Sequence, residues 1–226
     1  MDRHFKIIVP FYNVAQWINL TLRSIKLQDY DNFECIIVDD MSTDDSLLCD
    51  AIELSDPKKE DVIVMLDGDD WFAGKGVLSV LNETYDREDC WMTYGSYIEY
   101  PSNVRGKFSQ KVPDHIISGN LFRSSPWMTS HLRTWKYGLW KGIDKQKSFV
   151  EDEPIDNNNH YAFCWDLAYM FPLLELAGTK AYYISDILYV YNRQNPLCCD
   201  KIKHDVQLKM EHKIRNMERY KPLEEI

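Results

Sequence analysis

The chain has 226 residues, enough for one domain with a full hydrophobic core, and its 45% hydrophobic content with 7 Trp, 14 Tyr and 9 Phe excludes a disordered polypeptide. A net charge of −10 and an isoelectric point near 5.1 exclude a nucleic-acid binder that relies on neutralising phosphates. They leave a nucleotide substrate open, because a metal can supply positive charge locally.

The amino terminus, MDRHFKIIVPFYN, reads without the apolar stretch of a signal peptide, and nothing in the chain approaches the length of a membrane span. The cysteines at 35, 49, 90, 164, 198 and 199 form no CxxC pair. Scattered in this way they read as reduced thiols in a cytoplasmic setting, with adjacent Cys198 and Cys199 leaving a soft-metal alternative.

In chain order, the first apolar run is Lys6–Val9, closed by Pro10. A helix is expected next, with Asn13 as its N-cap and Gln16 three residues on, a capping-box arrangement. Val14, Ile18, Leu22 and Ile25 supply one apolar stripe for it. A second run, Glu34–Val38, ends on Asp39-Asp40, and a third, Val62–Leu66, ends on Asp67. Continuous β-branched runs suit parallel strands buried on both faces. Strand, helix and strand then make a right-handed βαβ unit. Parallel strands end on one edge, so Pro10-Phe11, Asp39-Asp40 and Asp67–Asp70 are expected to converge in the crevice where open α/β sheets bind ligands. In the MSTDDS stretch after the second strand, Ser42 or Thr43 can cap a short helix facing that crevice, over about 43–54.

These residues also carry a resemblance. IIVPFYNVAQWINLTLRSIKLQDYDNFECIIVDDMSTDDS followed by VIVMLDGDDWF resembles, over about residues 5–100, the nucleotide-sugar-binding half of a family 2 glycosyltransferase with the GT-A fold. The likeness extends to glycosyltransferase domains of large DNA viruses, for which the setting would be the host cytoplasm, and of bacteria. It implies an α/β domain with a mostly parallel, Rossmann-like central sheet flanked by helices. The whole chain would be one such domain: a donor half (1–100), an acceptor half (101–199) and a charged terminal helix (200–226). It implies a metal-dependent inverting transfer from a UDP-sugar to a hydroxyl of a glycan or glycoprotein, in a module of a longer protein.

Position by position, the resemblance places Pro10, Phe11 and Tyr12 around the nucleoside and has Asp39 accept a hydrogen bond from uracil, with Asp40 as its support. Asp67-Gly68-Asp69 would be the DxD motif. Asp69 would be the direct ligand of Mn²⁺ or Mg²⁺, Asp67 would lie near the ribose or a metal-bound water, and Asp70 near the donor sugar. The chemistry is consistent, because a hard cation held by few carboxylates keeps positions open for phosphate oxygens. Gly68 would permit a tight turn and close approach of the ligand.

In the acceptor half, CWMTYGSYIEY (90–100) reads as a strand. SSPWMTSHLRTWKYGLWKGI (124–143) interleaves Trp127, Trp135 and Trp140 with Arg133, Lys136 and Lys141. That pattern suits either sugar stacking beside a diphosphate or an amphipathic helix with core tryptophans, and the core is the better reading for each Trp singly. FCWDLAYMFPLLELAG (163–178) reads as a helix opened by Asp166 and ending at Gly178. The resemblance makes Asp166 the catalytic base, with Asp152 in FVEDEP as the alternative; the family's further metal-binding histidine is not assigned, His204 included. YYISDILYVYNRQNP (182–196) reads as a strand and turn returning to the pocket. A last helix carries Ile202, Val206, Met210, Ile214 and Met217 on one side, expected to pack on the domain.

The segment between VDD and LDGDD is shorter than the family's, leaving out one strand and part of the nucleoside wall. This keeps a non-catalytic sugar-nucleotide-binding or interaction module as the alternative function. A sugar nucleotidyltransferase is disfavoured, because PFYNVAQ has no glycine-rich loop for a triphosphate.

Overall fold

The computed structural model describes residues 2–39, 51–144, 165–196 and 204–226, with backbone alone at 165 and 204–206. Asp40, Ser42, Thr43, Asp152, Cys198, Cys199 and Ile202 lie outside the described residues, as do the side chains of His204 and Val206.

One sheet organises the fold. Its strands are β1 (Phe5–Phe11), β2 (Phe33–Asp39), β3 (Val62–Met65), β4 (Trp71–Phe72), β5 (Met92–Tyr100), β6 (Val104–Arg105), β7 (Ser130–Lys136) and β8 (Ala181–Asn192). The order is β2-β1-β3-β7-β5-β8-β4, with β6 paired to β5. β1, β2, β3, β5 and β8 run one way, while β4, β6 and β7 run against them.

β1 and β3 meet the expectation of burial on both faces. Phe5, Ile7, Val9, Val62, Val64 and Leu66 enter one core with Ile25, Leu78, Leu81 and Tyr85. Ile8, Ile63 and Met65 enter the other with Met92, Trp135 and Trp140. Side chains alternate across a strand, so each of these two strands feeds both cores. β2 departs from the expectation. Among the described residues it lies at the sheet edge, paired only with β1, and Ile37 is 47% exposed.

The first helix, α1 (Ile18–Lys26), begins later than the capping-box reading predicts. Asn13 sits at φ 53° and Trp17, not Asn13, flanks the first turn. Residues 14–17 form a turn in which Val14 O accepts from the N–H groups of Trp17 and Ile18. The apolar stripe survives the shift, with Ile25 buried and Ile18 and Leu22 packed on the same core. Helix α2 (Val77–Glu88) covers the same face. Residues 51–54 are helical, with Ala51 and Ile52 buried in the opposite core.

The 124–143 stretch is not one amphipathic helix. It holds β7, followed by the short α4 (Tyr137–Trp140), after α3 (Asp114–Ser118). Trp135 and Trp140 have no exposed surface and stack at 5.7 Å, and Trp127 meets Phe171 edge-on, so these tryptophans belong to the core. Helices α5 (Trp165–Ala177) and α6 (His204–Arg215) complete that layer. Met210 and Ile214 are buried there and Met217 packs beside them, as the stripe predicts. No helix among the described residues is long and apolar enough to cross a membrane.

Candidate active site

Among the described residues the three strand ends, two of them acidic, converge as expected. Asp39 is the register partner of Phe11 across the β1–β2 pair. Beyond β3 the chain stays beside β1: Leu66 N–H donates to Ile8 O at 3.1 Å and Gly68 N–H to Pro10 O at 3.0 Å. The DGDD turn closes on itself through Asp70 N–H to Asp67 O at 3.0 Å. Pro10 and Phe11 are half-buried at this edge, whereas Tyr12 and Asp39 are exposed. Glycine is required at 68 because a Cβ there would lie 2.7 Å from Phe11 Cβ and 2.9 Å from Pro10 O. The steric demand comes from β1, where the sequence reading has it come from the ligand.

Other elements hold the turn. Thr21 of α1, fully buried, directs its one hydroxyl proton between Asp70 O at 2.7 Å and Gly68 O at 2.9 Å. Asp70 is 1% exposed; its carboxylate accepts from Tyr189 OH at 2.6 Å and Asn192 N–H at 2.7 Å. Expected beside the donor sugar, Asp70 is instead a buried support of the loop. Asp67 also accepts from Tyr189 OH, at 3.2 Å, and Asp69 from Asn195 Nδ2 at 2.7 Å.

Asp166 joins this edge from the acceptor half, in the first turn of α5. The link is Arg133, which register places opposite Met65 at the end of β3, while Lys136 falls opposite Val62 at the other end. Arg133 is 3% exposed and its Nη1 lies 2.5 Å from Asp166 Oδ1 and 3.0 Å from Tyr169 OH. Its Nη2 lies 3.4 Å from His131 Nε2, and His131 stacks on Tyr189 at 4.3 Å. Lys136 pairs with Glu60 at 2.9 Å, away from the crevice. Of the three basic residues interleaved with tryptophans, Arg133 is thus the one that the register delivers to the acids.

The electrostatics separate the carboxyls. Burial first, then Asp166 and Asp69, push Asp67 up from the ordinary 3.8 to about 7. Burial, then Asp69 and Asp67, push Asp70 well up. Asp166 shifts the other way: burial works hardest against its ionisation, but Arg133, His131 and the Tyr169 hydroxyl together outweigh burial and lower it. Burial, then Arg133, keeps His131 neutral by lowering its pKa well below the usual range.

Since folded Asp67 binds a proton more tightly than unfolded Asp67, stability falls as pH rises from about 4 through about 7. Without added metal, Asp67→Asn is therefore expected to melt higher than the native chain at pH 8 and to flatten the pH dependence. Melting curves at pH 5 and pH 8 check this; equal slopes for the two proteins would contradict it.

Among the described residues, no group of three or more His, Cys, Asp or Glu is arranged to enclose a metal. Asp67 and Asp69 nevertheless fit a divalent cation that takes its remaining ligands from a diphosphate. They are hard oxygen donors, and repulsion from Asp166 and Asp69 adds to burial in raising Asp67.

Sequence reasoning missed Arg133 as a partner of Asp166, along with Thr21, Tyr189, Asn192 and Asn195. Thr21 has a signal, since a hydroxyl lies within the apolar stripe of α1, between Ile18 and Ile25. The others are joined to their aspartates only by the sheet.

Residues 6–48 match the family model described as Glycosyl transferase family 2. The chain is 23% identical over 221 residues to glycosyltransferase GlyG of Streptococcus pneumoniae, covering 86% of this chain and 72% of that protein. It is 28% identical over 143 residues to an uncharacterised glycosyltransferase of Rickettsia conorii, covering 54% of this chain but only 23% of the relative's length. The structure of S. aureus TarS residues 1–349 in complex with UDP-GlcNAc superposes with a TM-score of 0.62 at 17% identity, over 96% of this chain and 68% of that one.

Proposed function

We propose that this chain is a glycosyltransferase of family 2 with the GT-A fold, supported by its likeness to family members, and that it moves a sugar from a UDP-sugar to a hydroxyl of a glycan or glycoprotein acceptor, with inversion and with help from a divalent cation. One observation carries the reading. The edge that gathers Asp39, Asp67 and Asp69 also receives Asp166, whose carboxyl Arg133 keeps ionised.

In this reading Asp39 accepts a hydrogen bond from the base, beside Pro10, Phe11 and Tyr12, with Asp40 as its support. Asp69 and Asp67 hold Mn²⁺ or Mg²⁺. The bound ion neutralises charge on the diphosphate leaving group. Asp166 removes the acceptor proton as that oxygen forms its bond to the anomeric carbon and the bond to the diphosphate breaks. Attack from the side opposite the leaving group inverts the centre.

The test is calorimetric titration of UDP into the protein with Mn²⁺, with EDTA, and into Asp69→Ala. UDP is expected to bind only when both the ion and Asp69 are present. A folded native chain that ignores UDP under all conditions would favour the non-catalytic module. Release of pyrophosphate from a nucleoside triphosphate and a sugar phosphate would instead indicate a nucleotidyltransferase.

A further inference from the structure

One strand end touches every acid of the donor loop. Tyr189 OH serves Asp67 and Asp70, Asn192 N–H serves Asp70, and Asn195 Nδ2 serves Asp69. Tyr189 and Asn192 belong to β8 and Asn195 to the turn just after it, 126 residues from Asp69. Two of these four contacts end on Asp70, which is buried, and one on Asp67. The fourth, from Asn195, ends on Asp69, which is only partly buried.

We infer that Asn195 is a positioning residue for Asp69, an assignment that rests on reading Asp69 as the metal ligand. A carboxylate offers only acceptors, so the Asn195 amide must present its nitrogen to it and its side-chain orientation is settled by chemistry. The contact is 2.7 Å long and Asn195 is 7% exposed, so a donor held by the turn grips a charged acceptor. Without it, the Asp69 side chain would have to be ordered by the cation itself, at the expense of binding free energy. Groups that orient a metal ligand from behind typically change metal affinity by about 10–100-fold. The consequence is that the donor site is completed by the acceptor half: the turn after β8 sets the carboxylate that the DGDD turn supplies.

The experiment is a titration of Mn²⁺ into the full chain with saturating UDP, following free Mn²⁺ by electron paramagnetic resonance. Asn195→Ala is expected to weaken Mn²⁺ binding about 10–100-fold at an unchanged melting temperature. Gln194→Ala, on an exposed side chain in the same turn, is expected to bind Mn²⁺ like the native chain. A merely structural Asn195 would lower the melting temperature and leave the affinity of the folded fraction unchanged, and that result overturns the inference. Should Asn195→Ala fail to fold, Asn195→Ser, which keeps a polar group in the turn, is titrated with the same two outcomes. A native chain that takes up no Mn²⁺ with UDP sinks the metal-site reading itself, and is distinguishable because it fails before any variant is compared.

Discussion

Asp166→Asn is expected to lower sugar transfer by about 10²–10⁴-fold, the usual contribution of a positioned acid or base, while UDP binding with Mn²⁺ stays at the native level. The substitution is isosteric and removes only the charge. That charge is maintained by Arg133 at 2.5 Å, against a burial effect that would neutralise it. Within the cluster Asp166 is lowered, whereas Asp67 and Asp70 are both raised. Acids pushed apart in this way divide the work, the ionised one being suited to take a proton. Although the protein packed around it penalises its charge, the Asp166 side chain keeps 49% of its surface exposed, which leaves it reachable by an acceptor, whereas Asp70 at 1% is not. UDP release from a panel of UDP-sugars, with and without candidate acceptors, measures the effect. A variant within a few-fold of the native rate would remove Asp166 as the base and turn attention to Asp152.

The second large effect concerns stability. Glu175, with no exposed surface, receives Arg123 Nε at 2.7 Å and Nη2 at 2.9 Å, and also Tyr220 N–H at 3.0 Å. Arg123 in turn donates from Nη1 to Ile214 O at 2.6 Å. This network joins α5, α6 and the tail after α6 around a single ion pair. Breaking a buried pair from one side strands the other charge and costs about 3–5 kcal/mol. Glu175→Ala is therefore expected to melt roughly 10 °C lower, by the usual relation for a chain of this size. Replacing both partners, as Arg123→Met with Glu175→Leu, removes the stranded charge and is expected to recover much of the loss. Thermal unfolding of the two variants decides the point. An equal loss in both would mean that the ordered tail, not the pairing, holds α5 in place.

The sequence by itself determined the donor half. The β-branched runs ending on Pro10, Asp39 and Asp67 dictate parallel strands, buried on both faces in β1 and β3 but not in the edge strand β2, and parallel strands must bring those ends to one edge. Asp166 at the head of a helix was legible for the same local reason, an acid where an apolar helical pattern begins. Local rules failed where a neighbour outweighed propensity. Asn13 and Gln16 make a sound capping box, yet Asn13 turns left-handed and α1 waits until Ile18. The tryptophan-rich stretch has helical spacing, yet it forms β7 because β3 and β5 leave a place between them that it fills on both sides.

Only the tertiary structure decided which acids are buried, gripped or paired. Asp67, Asp69 and Asp70 are near-identical in sequence terms. Their roles separate because Tyr189 and Asn192 bury Asp70, Asn195 grips Asp69, and Arg133 reaches Asp166. Each contact joins residues that only strand pairing or helix packing brings together. A carboxyl's protonation and exposure depend on such neighbours, and spacing along the chain carries no record of them.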